Sequence, residues 1–443
     1  MKIGFGRADI TPRVGVQLCG FGPFINRYSV GVRDRLWARA MAVEAAGRRL
    51  VLVSCDLPGT TLSITSRVRE LVRAETGLNA DAVLVHSTHT HSGPNTMDLI
   101  GWGEADAPYL ELLPRRIAQA CACAIQALRE ATLSHAEVPC EGIGQNREYD
   151  RDGLPFNEVM TPGWRPRKPE LTDTTCHVLK ATAEGRIIGF VSYFGCHPVV
   201  CCEQTRHFHG DYCGVATNLL EQEFPGSVGL FLQGAVGDVN PRFVHKPEAE
   251  SLQALDTIGA EYATFVREGL NQSNPISVES VASIRRFVEF SRKPWDLPKL
   301  KAMLAEKESM LAAATDDSDY KFRINTVETF ALRRLIAKAQ SGARLAEPVE
   351  LHGIRIGPLA LLGSPFEVFQ AIKRDVLRAS RATIPLVLSF ANSTAGYATD
   401  STVAARGGYA QDFAPMIFAQ LPYANIHDEL VSGLLALDKE IFA

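Results

Sequence analysis

The 443-residue chain lacks the features that mark membrane, exported and nucleic-acid-binding proteins. It has no run of about 18 apolar residues, which excludes a membrane-spanning helix. The N-terminus has no apolar core of signal-peptide length, so we expect a cytoplasmic location. Lysine and arginine number 46 against 50 acidic residues, a net charge of −4, and they form no basic block. This charge pattern argues against a nucleic-acid partner.

The ten cysteines lack the paired C-x-x-C spacing of a structural zinc site. Thiols of a cytoplasmic protein normally stay reduced, so a disulfide framework is not expected. We interpret most of these residues as small buried apolar side chains. Cys196, Cys201 and Cys202 are the exceptions to follow, because they flank His197.

The composition that is present, 46% apolar and 22% charged, is that of an ordinary globular protein. A chain of this length suits one large or two ordinary domains. We predict a single domain over residues 1–443. Within it, a charged amphipathic pattern predicts two helices as an excursion at about 297–342.

Strand and helix patterns alternate in two halves of the chain. In the first half, a continuously apolar strand at 49–56 is followed by a helix at about 62–76 and a strand beginning at Ala82. In the second half, a strand at 186–194 is followed by a helix from about Asp211 and a further strand. The sequence thus predicts an α/β fold of mixed β-sheets flanked by helices, with two strand–helix–strand halves. Ligands of such folds bind at the carboxyl ends of the strands.

The segment at residues 88–94, Thr-His-Thr-His-Ser-Gly-Pro, follows the strand of the first half. Residues two apart on an extended chain face the same side, so His89 and His91 share one cavity and His86 points away. A pair of imidazoles at the end of a buried strand suits zinc. The alternative is one hydrogen-bonded core histidine and one surface histidine.

Polar residues also end the other strands of the two halves. Asp56 and His89 end the strands of the first half, and His197 and Asp238 end those of the second. They lie where an α/β fold binds its ligand. A separation of more than about 5 Å between the rings of His89 and His197 is beyond what two metal bonds of roughly 2.1 Å can bridge, so a shared cation requires the rings to lie closer.

The order of these motifs resembles the catalytic domain of the neutral (alkaline, non-lysosomal) ceramidases and their bacterial relatives. The resemblance covers nearly the whole chain, and it is carried by the following segments: Gly-x-x-x-x-Asp-Ile-Thr-Pro at 4–12, the double-histidine segment at 88–94, His-Pro at 197–198, Asp-Tyr at 211–212, Gln-Gly-x-x-Gly-Asp-x-Asn-Pro at 233–241 and Gly-Tyr at 396–397. The immunoglobulin-like C-terminal domain of the true ceramidases has no counterpart in this sequence.

The resemblance implies a zinc amidase that cleaves an N-acyl bond, with His89 and His197 as zinc ligands. It also implies that His91 lies beside the scissile group as a hydrogen-bond donor or proton carrier. A glutamate and a tyrosine complete the family site, and Glu367 and Tyr397 are the matching candidates here.

Three positions depart from the family pattern. Gly363-Ser364 stands where the family has Gly-Glu, and Glu367 lies one turn further on; its alternative role is a capping box with Ser364 at the start of a helix. Thr394 stands where another family tyrosine often lies. Asn240 replaces the serine that acts in true ceramidases, and an amide cannot serve as that nucleophile, so ceramide itself is not the expected substrate.

The sequence therefore predicts hydrolysis of a carbon–nitrogen bond in a small N-acyl or peptide-like substrate by zinc-activated water. His91 would donate to the oxyanion or the leaving nitrogen. Asp211 or Asp238 would orient a metal-bound histidine, with a glycine-loop turn as the alternative role of Asp238. Arg147 would hold a substrate carboxylate or form a surface salt bridge.

Other assignments complete the prediction. Gln233 is assigned to substrate binding, and Asn240 and Tyr397 to the catalytic group. An esterase or lactonase would use the same site, and a non-catalytic zinc-binding protein is a third possibility. The expected partner is a small molecule, and the sequence does not indicate an oligomeric state.

Overall fold

A computed structural model describes residues 1–150 and 152–443. Its strands are β1 Lys2–Asp9, β2 Gly31–Val32, β3 Trp37–Ala45, β4 Arg48–Cys55, β5 Val83–Ser87, β6 Arg129–Glu130, β7 Thr132–Pro139, β8 Gly144–Asn146, β9 Thr175–Ala183, β10 Arg186–Phe194, β11 His207–Phe208, β12 Val228–Gln233, β13 Val239–Pro241, β14 Asn274–Pro275, β15 Val281–Val288, β16 Val349–Ile356, β17 Leu359–Gly363, β18 Glu367–Val368, β19 Ile384–Leu388 and β20 Tyr397–Ala398. Its α-helices are α1 Leu62–Thr76, α2 Ala107–Gln126, α3 Phe156–Val159, α4 Asp211–Glu223, α5 Glu248–Gln272, α6 Leu297–Ala312, α7 Tyr320–Ser341, α8 Gln370–Ala379, α9 Ser401–Arg406, α10 Ala414–Ile417 and α11 Ile426–Ile441.

Three sheets form the framework, with strand orders β5-β4-β3-β1-β6, β12-β10-β9-β7-β14 and β15-β16-β17-β19. Each sheet contains one parallel pair whose strands are joined through a helix: β4–α1–β5, β10–α4–β12 and β17–α8–β19. The predicted α/β class with mixed sheets is confirmed. The structure adds a third strand–helix–strand unit to the two that the sequence pattern predicts.

The helix α1 illustrates how local sequence sets these units. The Thr61 side chain accepts a hydrogen bond from the Ile64 amide and caps the first turn, and Gly77 ends the helix with φ of 73°. Val68 and Val72 on the buried face pack into the core of the first sheet. The helix spans residues 62–76, as the sequence predicts.

One core joins the three sheets. Leu52 of the first sheet, Leu230 of the second and Leu361 of the third belong to the same buried cluster. Helices α1 and α2 cover the outer face of the first sheet, α4 and α5 that of the second, and α8 and α11 that of the third. The inner faces therefore pack on each other, and the parallel strand ends of the three units meet at one edge of this core.

The excursion predicted at about 297–342 consists of α6 and α7, which pack against each other. Leu300 and Leu332 are buried in the same cluster as Trp102 and Tyr397, so the helix pair covers one side of the region where the strand ends meet. In the part of the chain that the structure describes, no helix has both the length and the apolar character needed to cross a membrane.

The start of α8 differs from the prediction. A Ser-Pro-Phe-Glu helix start at residues 364–367 is expected from sequence, but α8 begins at Gln370. Glu367 instead lies in β18, which pairs in parallel with β20. The backbone amide of Glu367 donates to the carbonyl of Gly396, a partner distant in sequence that outcompetes the local capping pattern. Glu367 is thereby available for another role.

Candidate metal centre

Three side chains converge at the strand ends, one from each strand–helix–strand unit. His89 follows β5, His197 follows β10, and Glu367 follows β17. Glu367 Oε2 lies 3.0 Å from His197 Nε2 and 3.8 Å from His89 Nε2. The ring centroids of the two histidines are 5.2 Å apart, but their ligand nitrogens, the atoms that a shared cation would join, lie within 4.8 Å of each other. The structure thus brings together the three residues that the sequence assigns as metal ligands.

His91 joins the same group. Its Nε2 lies 3.1 Å from His89 Nε2, and ligand atoms of His89, His91 and His197 all lie within 4.8 Å of one another. His86, which the strand alternation directs away, is bonded instead to the hydroxyl of Ser54 and the backbone amide of Gln233.

Backbone carbonyls fix the protonation of the two ligand histidines. His89 Nδ1 lies 2.5 Å from the carbonyl oxygen of Pro58, and His197 Nδ1 lies 3.1 Å from that of Val239. A carbonyl oxygen only accepts, so each Nδ1 carries a hydrogen, and in the neutral form of either ring the lone pair lies on Nε2 and points inward. Two lone pairs and the Glu367 carboxylate therefore face one another, an arrangement that a shared cation satisfies.

The donor set fits zinc. Two imidazole nitrogens and one carboxylate oxygen are the protein ligands of many catalytic zinc sites, which leave a further position open. Burial lowers the pKa of His89 to about 4, so its ring is neutral near pH 7. Burial opposes ionisation of Glu367, but the neighbouring His89 and a hydrogen bond with His197 lower its pKa to about 2. Each group is thus in its ligand form.

The backbone of His89 is held in an uncommon conformation. Its φ is 68°, a region that non-glycine residues enter at a cost and that is enriched at functional sites. The ring stacks on Phe390, with centroids 4.0 Å apart and planes 17° apart. The backbone turn and the stacking partner together orient Nε2 toward Glu367.

His91 is buried without full hydrogen bonding. Among the described residues, its Nδ1 has no hydrogen-bond partner. Burial holds the pKa of His91 well below its usual value, so the ring is neutral. Gly20 lies so close that a Cβ there would approach the His91 ring to 2.7–2.8 Å, which only glycine avoids. Nδ1 is thus enclosed on the Gly20 side, and Nε2 is the ring nitrogen that lies beside the ligand cluster.

Tyr397 and Arg147 lie beside the carboxylate. Tyr397 is hydrogen-bonded to Glu367 and to Arg147, whose guanidinium carbon is 5.4 Å from the tyrosine ring centroid. Arg147 Nη2 donates to the carbonyl of Gly237 at 2.6 Å. Arg147 therefore faces the site and does not form the surface salt bridge that was its alternative assignment.

Tyr409 is a further site residue that the sequence analysis misses. Its ring centroid is 6.0 Å from that of Tyr397, and it lines both lobes of the cavity described below. Although 45% of the residue is exposed, desolvation of its hydroxyl and the nearby Glu367 keep the pKa of Tyr409 well above the usual tyrosine value, so the hydroxyl stays protonated. The only local signal in the sequence is the preceding Gly407-Gly408, which predicts a loop but no functional role for Tyr409.

The assignments of Asp211 and Asp238 need correction. The task of orienting the ligand histidines, which the sequence assigns to a carboxylate, belongs to backbone carbonyls. Asp211 accepts from the backbone amides of Val200, Cys201 and Tyr212. Asp238 accepts from the amide of Gln370 and the side chain of Asn146. Both aspartates hold the loops around the site and do not contact the ligand rings.

Gln233 also needs correction, since it is fully buried and lines none of the cavities at the site. Its Nε2 donates to the carbonyl of Cys196 at 2.9 Å and to that of Thr88 at 3.4 Å. Gln233 therefore links the two strand ends that carry His89 and His197. Asn240, in contrast, lines the cavity and donates to Asp152 Oδ2 at 2.8 Å.

The cavity over the ligand cluster has two lobes of different character. The smaller lobe, about 60 Å³, is lined mainly by apolar side chains, including Met97, Leu99, Trp102, Ile417 and Phe418. The larger lobe, about 190 Å³, is lined by polar side chains, including Arg147, Asn240, His245 and Tyr320. His91, Tyr397 and Tyr409 line both lobes, so the candidate ligands lie at their junction.

Fold and site together define an α/β protein with a histidine–carboxylate cluster, able to hold a metal ion, at the ends of its strands. A model of the neutral/alkaline non-lysosomal ceramidase family, N-terminal part, matches residues 1–254, and the chain belongs to this family. The family resemblance of the sequence motifs is thereby confirmed. The matched part contains His89, His91 and His197, whereas Glu367 and Tyr397 lie outside it.

Individual relatives extend the likeness over most of the chain. A neutral ceramidase of Pseudomonas aeruginosa is 25% identical over 456 aligned residues, covering 90% of this chain and 66% of the relative. This chain therefore spans just under two thirds of that relative's length. A crystal structure of neutral ceramidase from the same organism has a TM-score of 0.74 at 22% identity, covering 99% of this chain and 75% of the other. A ceramidase complexed with C2 has a TM-score of 0.74 at 20% identity. These two structures share the fold.

Proposed function

We propose that this protein is a zinc-dependent hydrolase that cleaves the amide bond of a small N-acyl or peptide-like substrate. The observation that carries the proposal is the convergence of two inward lone pairs, of His89 and His197, with the ionised carboxylate of Glu367. Zinc bound there supplies a water of lowered pKa and Lewis acidity toward a carbonyl group.

The chain's own residues supply the remaining chemistry. His91 is neutral and its Nε2 lies beside the ligand cluster, so with its hydrogen on Nε2 it donates a hydrogen bond to the oxygen that becomes negative or to the leaving nitrogen. The Tyr397 and Tyr409 hydroxyls stay protonated and line the same junction, where they act as further donors. Asn240 lacks a nucleophilic hydroxyl, so its role is to bind the polar part of the substrate.

The two lobes of the cavity suggest how a substrate lies. The apolar lobe suits an acyl group, and the lobe with Arg147 and Asn240 suits the polar amine part. The apolar lobe is much smaller than the roughly 300–1,000 Å³ of typical ligand pockets, which favours short acyl groups. The curated relative is named a neutral ceramidase, and ceramide is an N-acyl compound of the same bond type. The cytoplasmic location stays a prediction from sequence.

The test is a screen of N-acyl amines of increasing acyl length, peptide-like amides, esters and lactones with zinc-loaded protein. We expect turnover of amides, fastest for short acyl groups, and in His89→Ala the loss of activity and of the zinc ion bound at this centre. His207→Ala, which removes an exposed histidine, is the matched control and should retain both.

Each alternative gives a different result in the same screen. Turnover of esters or lactones without amides would identify an esterase or lactonase. Bound zinc with no turnover in any substrate class would contradict a hydrolase and favour a zinc-binding protein.

A further inference from the structure

A second group of side chains that could bind a metal lies on the second sheet. It consists of His135 and Glu137 on β7 and His177 on β9, with ligand atoms within 4.8 Å of one another. Nothing in the candidate metal centre involves these residues. We propose that they form a second zinc site that links the two strands.

Strand geometry places the three side chains on one face. His135 and Glu137 are two residues apart on an extended strand, so they point to the same side. Glu137 pairs directly with His177 across the antiparallel ladder. Long side chains at directly opposite or diagonal positions of neighbouring strands reach each other, and His135 is diagonal to His177. Helix α5 covers the opposite face of these strands, where Val138 and Val178 pack.

The distances match a tetrahedral zinc site. His135 Nε2 lies 3.2 Å from His177 Nδ1, and His177 Nδ1 lies 3.8 Å from Glu137 Oε1. Ligands about 2.0–2.1 Å from a tetrahedral zinc ion lie roughly 3.4 Å from one another. The two measured separations bracket that value, so a single ion reaches all three atoms with little movement of the side chains.

Protonation and exposure also suit a metal ion. Burial lowers the pKa of His177 to about 3, and burial also lowers the pKa of His135, so both rings are neutral near pH 7. The positive charge of Lys373 acts on His177, but Lys373 Nζ is paired with Asp173 at 2.7 Å. Glu137 is exposed, so solvent provides the fourth ligand and an entry path.

The environment gives the site a fixed inner wall. The His177 ring packs edge-on against Tyr193, with centroids 5.6 Å apart, and the rings of His135 and His177 are nearly parallel. Such support holds ligand orientation before the ion arrives. A zinc ion here would fasten β7, near the edge of its sheet, to the more central β9.

The test measures zinc bound per chain in the full-length protein after equilibration with Zn²⁺ and removal of free metal. We expect the wild type to hold two ions, and His135→Ala and His89→Ala to hold one each. The double variant should hold none. His207→Ala, an exposed histidine outside both groups, should still hold two. Because the two sites are read separately, failure of one does not obscure the other.

Further measurements distinguish the loss of a zinc ligand in His135→Ala from a folding defect. Glu137→Gln changes only an exposed side chain, and we expect it to weaken the second zinc ion by at least tenfold in a titration. Zinc should also raise the thermal midpoint of His89→Ala, but not that of the double variant. An unchanged zinc content in His135→Ala, or a wild type that holds only the ion lost in His89→Ala, would overturn the proposal and leave a simple histidine–histidine hydrogen bond.

Discussion

At the residue scale, a buried amide behind the metal centre holds its two halves together. Gln233 donates to the carbonyls of Thr88 and Cys196, which directly precede His89 and His197 in the chain. Buried polar groups that lose such partners cost more than an ordinary hydrogen bond contributes. Gln233 therefore acts on His89 and His197 as a positioning residue, through the backbone.

Gln233→Leu tests this role. The variant removes both donated hydrogen bonds at nearly constant volume. It leaves the Thr88 carbonyl without this donor, whereas the Cys196 carbonyl keeps a bond from the Tyr212 hydroxyl, so we expect a loss of about 1–3 kcal/mol in the free energy of unfolding. Zinc affinity should fall with it, because the strand ends are no longer tied. Urea denaturation and a zinc titration measure the two effects. Gln253→Leu, at an exposed position of α5, should change neither.

Asp211 gives the protein a pH-dependent stability term. Burial raises its pKa to about 6, even though backbone amides from Tyr212, Val200 and Cys201 favour the ionised form. A carboxyl whose pKa is raised on folding binds protons more strongly in the folded state. Its contribution to stability is therefore full below about pH 4 and is lost as the pH rises through about 6.

Asp211→Asn should remove this dependence. The stability difference between wild type and variant should shrink by up to about 3 kcal/mol between pH 4 and pH 7.5, because only the wild type must ionise a buried group. Urea denaturation at the two pH values measures the difference. A gap that widens toward pH 7.5 would contradict the raised pKa.

At the element scale, the short parallel pair β18–β20 places both Glu367 and Tyr397, which face each other in its register. Gly396 supports the pair: its carbonyl accepts from the Glu367 amide, and its φ is 81°. A Cβ at Gly396 would lie 3.4 Å from the Phe418 ring. The position thus couples the backbone conformation of the loop to the location of the ligand.

Gly396→Ala should therefore damage the site more than the fold. A positive φ costs a non-glycine residue roughly 1–2 kcal/mol, which should appear in urea denaturation. Gly47→Ala is the matched control, because Gly47 has φ of 72° and open space around it. We expect similar losses of stability in both variants. Only Gly396→Ala should also lose activity and the zinc ion that Glu367 binds. Equal activity in the two would show that β18–β20 does not set the ligand position.

The same elements show what sequence can and cannot predict. Helix α1 is found to the residue because its cap, its apolar face and Gly77 are all local signals. The convergence of His89 and His197 is predicted from sequence because both residues follow strongly apolar strands. The start of α8 is misjudged, since Glu367 pairs with a strand some thirty residues away, and Tyr409 is missed because only tertiary packing brings it to Glu367. The backbone carbonyls that orient the rings of His89 and His197 cannot be recognised from the sequence, because every residue has a carbonyl.

At the scale of the whole molecule, a buried ion pair ties the first and third units together. Arg69 of α1 forms two hydrogen bonds with Glu350 of β16, at 2.8 and 3.0 Å. Arg285 and Asn392 also donate to this carboxylate. Both side chains of the Arg69–Glu350 pair are almost fully buried, at 3% and 1% exposure. Breaking such a pair leaves an uncompensated charge in the interior.

Arg69→Met should cost about 3 kcal/mol in the free energy of unfolding, at the lower end for buried pairs because Arg285 still faces Glu350. The double variant Arg69→Met/Glu350→Gln should regain part of the lost stability, because it also removes the unpaired charge of Glu350. Arg67→Met breaks an exposed pair with Glu70 on the same helix, and it should cost less than about 1 kcal/mol. Equal losses in Arg69→Met and Arg67→Met would contradict the role of the buried pair.

The origin of the three metal-centre ligands in three separate units has a consequence for biosynthesis. Glu367 lies 170 residues beyond His197, its partner in the cluster. A nascent chain that has emerged only as far as its second sheet displays both imidazoles but lacks the acidic ligand. Cation capture by the complete cluster must therefore wait until the ribosome has passed residue 367, so a loaded centre would report that synthesis and assembly have passed that stage.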